Sequence, residues 1–200
     1  MKLYGLTGGS GAGKSAAASM LTARGFGWVD ADAVYRALCQ PGSELLAVLN
    51  RAFGGVLTPE GALDRPRLAA AVFSDRAQLA RLNEIVNPRI WAASQAAFEA
   101  LEQDGKTRIL YDAPTLFQAG FDRNCDAVIG VVAPRAVRMA RIMARDGLSE
   151  GAAAARIDAQ PDEAFYRERC RYILENGDDL AALEAQINAL CRALDADETT

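Results

Sequence analysis

Gly8-Gly9-Ser10-Gly11-Ala12-Gly13-Lys14-Ser15 spells G-x-x-x-x-G-K-S, a spacing suited to holding phosphate. Glycines take positive φ and let backbone N–H groups approach phosphate oxygens, while a helix opening at Lys14 or Ser15 adds a positive dipole end. Lys14 would reach the β- and γ-phosphates of a nucleotide. The Ser15 hydroxyl suits Mg²⁺, a hard cation that takes oxygen ligands.

Acids and arginines supply the rest of a phosphoryl-transfer set. The chain has no histidine, so a general base must be Asp, Glu or water. Asp30-Ala31-Asp32 ends a strand-like run and offers two carboxylates. Asp32, entering an exposed turn, is the candidate base over Asp30, which is placed to be hydrogen-bonded or to hold metal-bound water. Either acid could instead N-cap the helical pattern that begins at Ala33. Asp112 closes another apolar run ahead of Pro114, where it either holds Mg²⁺ through water or caps the strand end. Arg138, Arg141 and Arg145 recur at i, i+3 and i+7 and so share one face of a predicted helix. Forked guanidinium groups suit phosphate oxygens, and the face either closes over ATP as a lid or lies in solvent.

The elements that must carry these residues alternate. Leu3–Leu6, Phe26–Asp30, Arg108–Asp112, Ala127–Val132 and Arg171–Leu174 read as strands separated by helical patterns, the signature of a parallel α/β sheet whose C-terminal strand ends form one rim. Residues 33–103 carry helix signals and no strand pattern. Asn87-Pro88 predicts an N-cap and N1 proline for a helix running to Gln103. A second helical stretch, 134–169, breaks near Gly147 and Pro161. Asp178-Asp179 is placed to cap a last helix to about Leu194, with residues 195–200 frayed.

Composition narrows the classes. Net charge is −4, with 22 basic residues spread along the chain, which disfavours a nucleic-acid surface. The first strand begins almost at Met1 and no 18-residue apolar stretch occurs, so a cytosolic protein without signal peptide or membrane span is expected. Cys39, Cys125, Cys170 and Cys191 are isolated, with no C-x-x-C and no histidine for a zinc site, and read as buried or incidental thiols.

Taken together, Leu6 through Ser15, Val29-Asp30-Ala31-Asp32, Leu82-Asn83 with Asn87-Pro88, Asp112-Ala113-Pro114-Thr115-Leu116-Phe117, Arg141 through Ser149, Arg156 with Gln160, and Asn176-Gly177 resemble dephospho-CoA kinase across nearly the whole chain. The resemblance implies a P-loop kinase three-layer α/β sandwich. Its parts would be a core at 1–32, 104–133 and 170–200 with a five-stranded parallel sheet, a helical substrate domain at 33–103, and a lid at 134–169. It implies ATP-dependent phosphorylation of the ribose 3′-hydroxyl of dephospho-CoA, with Mg²⁺. Asp32 would take the proton, Thr7 would line the reacting centre, and Arg141 and Arg145 would meet phosphates, whereas Arg138 only shares their face. Asn176 would approach the adenine. Gly8, Gly9, Gly11, Ala12, Gly13, Lys14, Ser15 and Ala16 would contact the nucleotide. Ala16 stands where the family carries Thr, Asn87 where it carries His, Gln118 where it carries Glu, and Cys170-Arg171 where it carries Ala-Asp. The rival readings are another small-molecule kinase of the same fold and a nucleotide-dependent switch. The Asp-Ala-Asp element and long helical insertion argue against the first, and the absence of N-K-x-D and the arginine helix against the second.

Overall fold

The computed structural model describes residues 1–73, 75–177 and 179–198. β1 (Lys2–Thr7) runs through the glycine turn into α1 (Lys14–Thr22), and β2 (Gly27–Asp30) leads to α2 (Ala31–Leu38), α3 (Glu44–Phe53), α4 (Arg65–Phe73) and α5 (Arg76–Gln103). β3 (Arg108–Asp112) is followed by a 3₁₀ turn at Phe121–Asn124 and β4 (Ala127–Val132). Then come α6 (Arg135–Asp146), α7 (Glu150–Asp158), α8 (Glu163–Arg169), β5 (Tyr172–Glu175) and α9 (Leu180–Glu198). The strands form one five-stranded parallel sheet in the order β2-β3-β1-β4-β5. Register places Leu6 of β1 beside Asp112, the last residue of β3, and Ile129 of β4, and β4 runs on to Val132 past the end of the strand that feeds the glycine turn.

By contact the chain divides into two compact units, residues 1–28 with 102–200, and residues 29–101. The first has its main core between the sheet and two helices. β1, β3 and β4 read as near-continuous apolar runs because a parallel sheet is covered on both faces. Leu6, Leu110, Ile129 and Val131 pack with Ala17, Ala18 and Leu21 of α1 and Leu183, Ile187, Leu190 and Leu194 of α9. Each such leucine or isoleucine contributes about 1.5–3 kcal/mol by leaving water. Asp179 Oδ1 accepts from Ala182 N–H at 2.8 Å and caps α9, while Asp178 lies outside the described residues. The fraying expected from residue 195 is not found through 198. Asp195 pairs with Arg108 at 2.7 Å, and Asp197 Oδ2 accepts from Arg171 at 2.8 Å and from the Tyr172 hydroxyl at 2.7 Å. Thr199 and Thr200 lie outside the described residues.

The second unit gathers Leu45, Leu46 and Leu49 of α3, Leu68 and Val72 of α4, Val86 of α5, and Val56 from the loop after α3 into its own core. Ser43 caps α3, its hydroxyl accepting from Leu46 N–H at 3.3 Å. Pro59-Glu60-Gly61 turns between Leu57 and Leu63, which form an isolated antiparallel bridge. The helix expected to start at Pro88 instead starts at Arg76 and runs through the proline. Leu82, Ile85, Val86 and Ile90 lie on both sides of Pro88 and all pack on this core, so burial holds the helix across a residue that opposes it. Beside the proline, Arg89 Nη1 donates to the Ile85 carbonyl at 2.8 Å.

Pro88→Ala restores an interior N–H and removes the ring, and is expected to stabilise the chain by about 1–3 kcal/mol, read as a higher urea midpoint. A lower midpoint would mean that the proline fits this helix. The four cysteines are free thiols. Burial pushes the Cys125 and Cys170 thiols up to about 12, Asp122 and Asp126 adding to the effect at Cys125. In the native protein at pH 7.5, iodoacetamide should label these two at least about a hundredfold more slowly than in urea, scored by mass spectrometry; comparable rates would contradict their burial.

Candidate active site

A loop that turns its N–H groups towards an anion must turn its carbonyls the other way, and those carbonyls need donors. Residues 8–13 have them throughout. Lys14 Nζ donates to the Gly8 carbonyl at 3.2 Å, and Ala12 N–H to the Gly9 carbonyl at 3.1 Å. Arg138 Nε donates to Ser10 O at 2.9 Å, and Arg141 Nη1 lies 3.4 Å from Gly11 O and 3.5 Å from Ala12 O. Asn176 Nδ2 donates to Ala12 O at 2.8 Å, and the Ala16 and Ala17 N–H groups donate to Gly13 O at 3.1 and 3.3 Å.

Two glycines make this packing possible. Gly13 has φ 94° at the N-cap of α1, and a Cβ there would overlap the Asn176 amide. A Cβ on Gly9 would overlap the Arg138 guanidinium. Any larger residue would lift the loop off its supports. Ser15, exposed in the first turn of α1, and Asp112, buried at the end of β3, are hard oxygen donors at the same rim of the sheet. Thr7 is 0% exposed, and its hydroxyl donates to Pro114 O at 3.4 Å, tying the entry of the loop to the segment after β3.

The three arginines divide by their position along α6. Arg141 reaches the loop, but its companion is Arg138, not Arg145. Arg138 is 7% exposed and lies against Gly9, and burial lowers its pKa. The Arg145 side chain is 62% exposed and turned to Asp146 at 2.8 Å. Hydrogen bonds from Arg145 and Arg156 hold the Asp146 carboxyl at about 2, so this brace is ionised at neutral pH. Shared face does not mean shared contact, because α6 meets the loop only through its first turns.

Asn176, expected near the adenine, packs behind the loop in the nucleotide-free chain. It is 3% exposed, its Nδ2 holds Ala12 O, its N–H donates to Val132 O at 2.8 Å, and its own carbonyl accepts from Arg141 Nη1 at 2.9 Å. Its amide is therefore a strut behind the loop. Gln160, quoted above only for its family likeness, joins the site through Oε1, which accepts from Ser10 N–H at 2.7 Å.

In the second unit, Asp30 ends β2 and N-caps α2. Its Oδ1 accepts from the N–H groups of Asp32 at 2.8 Å and Ala33 at 3.2 Å, and Oδ2 pairs with Arg36 at 3.4 Å. Asp32 is exposed in the first turn of α2. Among the described residues, no group of three or more His, Cys, Asp or Glu could hold a metal on its own, and no helix is long and apolar enough to cross a membrane.

A glycine turn between a buried parallel strand and a helix, closed by Lys14 and Ser15 on a five-stranded sheet, defines the P-loop kinase class. Comparison narrows the class. The model of the dephospho-CoA kinase family matches residues 2–182. Dephospho-CoA kinase of Deinococcus radiodurans is 44% identical over 191 residues, 96% of this chain and 91% of that protein. The enzyme of Syntrophotalea carbinolica is 41% identical over 195 residues, 97% of this chain and 92% of that one. The chain belongs to the dephospho-CoA kinase family. Among solved structures, TT1252 from Thermus thermophilus superposes with TM-score 0.82 at 32% identity, covering 96% of this chain and 97% of that one. Dephospho-CoA kinase from Campylobacter jejuni gives 0.69 at 25%, covering 99% and 100%.

Lys14→Ala is expected to lower ATP turnover at least about tenfold with thermal melting unchanged, since the lysine meets charge that grows on the transferring group. Arg141→Ala should lose more activity than Arg145→Ala, measured as kcat/KM. Equal small losses would show that carbonyl support from α6 is unimportant.

Proposed function

We propose that this chain transfers the γ-phosphoryl group of ATP to the ribose 3′-hydroxyl of dephospho-CoA, giving coenzyme A and ADP, the last step of coenzyme A synthesis, in the cytoplasm. The observation that carries this reading is the supported glycine turn with Lys14, in a chain that matches the dephospho-CoA kinase family over residues 2–182. Lys14, Ser15 and the N–H groups of Gly11, Gly13, Lys14 and Ser15 bind and orient the phosphates. Arg141, anchored behind the loop, adds positive charge close to them.

Phosphoryl transfer asks mainly for alignment and charge stabilisation. Asp32 accepts the proton of the 3′-hydroxyl. Its exposure in the first turn of α2 supports this role, and so does the engagement of Asp30 in capping that helix. The oxygen donors Ser15 and Asp112 fit Mg²⁺, which when bound neutralises charge on the β- and γ-phosphate oxygens. Residues 33–103 receive the acceptor and residues 134–169 form a lid that excludes water during transfer. Thr7, held at the entry of the loop, shapes the reacting end.

The direct test is ADP release with dephospho-CoA, adenosine, AMP and pantetheine as separate acceptors. Release should depend on dephospho-CoA, and faster release with another acceptor would replace it as the substrate. Asp32→Asn is expected to lower kcat by about 10²–10⁴-fold with little change in the dephospho-CoA KM. Asp30→Asn should cost little, because asparagine caps a helix as well as aspartate does. A larger loss at Asp30, or a pure KM effect at Asp32, would contradict the assignment of the base.

A further inference from the structure

Ser10 is the one residue of the loop whose peptide N–H and carbonyl are both held by side chains from a single distant region. Its N–H donates to Gln160 Oε1 at 2.7 Å and its carbonyl accepts from Arg138 Nε at 2.9 Å. Arg138 Nη2 donates to the same Gln160 oxygen at 3.2 Å, which closes a ring of three hydrogen bonds. Arg138 comes from α6, Gln160 from the segment joining α7 to α8, and Ser10 from the tip of the phosphate loop. Each partner is needed by the other two.

The surroundings fit a ring that carries load on the loop. Gly9 has no side chain to keep the guanidinium away, and Arg138 is buried beside Glu163 and Tyr166 where water cannot easily replace a lost partner. Lysine, a single rotatable ammonium, lacks the rigid planar fork whose Nε and Nη2 meet the carbonyl and the amide oxygen from two fixed positions. A Ser10 N–H turned outwards to Gln160 also fixes the direction of the next peptide, and Gly11 with φ 77° then begins the run of N–H groups that faces the phosphates.

We propose that Arg138 and Gln160 are positioning residues that lock the Ser10 peptide and so hold the phosphate loop in its nucleotide-binding shape before a nucleotide arrives. Ordering that a bare glycine loop would undergo on binding is then already done in the folded chain. The proposal rests on the kinase reading only in taking a nucleotide as the ligand of the loop. MgADP binding needs no acceptor, so the proposal can be tested even if dephospho-CoA proves not to be the substrate.

The experiment is calorimetric titration of the full chain with MgADP for wild type, Gln160→Leu, Arg138→Met and the double variant, with the dephospho-CoA KM measured in parallel. Leucine at the half-exposed position 160 keeps bulk and removes the acceptor, which leaves both Ser10 N–H and Arg138 Nη2 unmatched. Gln160→Leu should raise the MgADP Kd at least about tenfold, with the dephospho-CoA KM within about twofold of wild type and melting temperature retained. The double variant should bind no more weakly than the weaker single variant, because a ring is lost whole once one member is gone. Should Arg138→Met fail to fold, Arg138→Lys takes its place in the cycle. A Gln160→Leu Kd within twofold of wild type would overturn the proposal. So would losses that multiply in the double variant, or an equal rise in the MgADP Kd and the dephospho-CoA KM.

Discussion

The outward carbonyls of residues 8–13 are the constraint on which the rest of the site depends. A backbone that offers several N–H groups to an anion has to dispose of the carbonyl oxygens on its other face, and in a half-buried turn each one left unmet is costly. This chain meets them with two arginines of α6, the amide of Asn176, the ammonium of Lys14 and the start of α1. Three of these donors are cations, and the two arginines are placed behind the loop. They supply hydrogen bonds to the carbonyls and positive potential to the concave side with the same atoms.

That requirement explains why elements far apart in sequence converge on eight residues. β1 delivers the turn from the middle of the sheet, between β3 and β4, where it cannot shift without breaking ladders on both sides. Asn176 follows β5 directly, and its N–H continues the ladder by donating to Val132 O. α6 starts three residues after the end of β4 and brings Arg138 and Arg141 against the loop while its far end, with Arg145, stands in solvent. The second unit has a separate core and its own capping acid, Asp30, and places Asp32 in the opening turn of a helix.

Much of this was legible in the sequence, and the exceptions have physical causes. β3 and β4 fall on the residues expected, because an apolar run closed by Asp112 and another that opens after Asp126 and stops before Pro134 leave few other readings. The helix around Pro88 was misplaced because local chemistry marks proline as a start, whereas Leu82, Ile85 and Ile90 bury themselves on both sides of it. Spacing put Arg138, Arg141 and Arg145 on one face, but only packing decides which turn of that face meets the loop. Asn176 and Gln160 carry no local signature of a strut, since an amide that serves a distant carbonyl or N–H looks like any polar surface residue. The sequence also left Asp30 and Asp32 both open as caps, and two hydrogen bonds to Asp30 Oδ1 decide between them.

The central claim is that the turn at residues 8–15 is a phosphate site already shaped in the nucleotide-free chain. Backbone amide NMR of the full chain, titrated with MgADP and separately with adenosine, tests it most directly. The account predicts that MgADP moves the amide signals of Gly11 through Ala16 most strongly, and that adenosine leaves them in place. Equal shifts with adenosine, or MgADP shifts that avoid these residues, would contradict it.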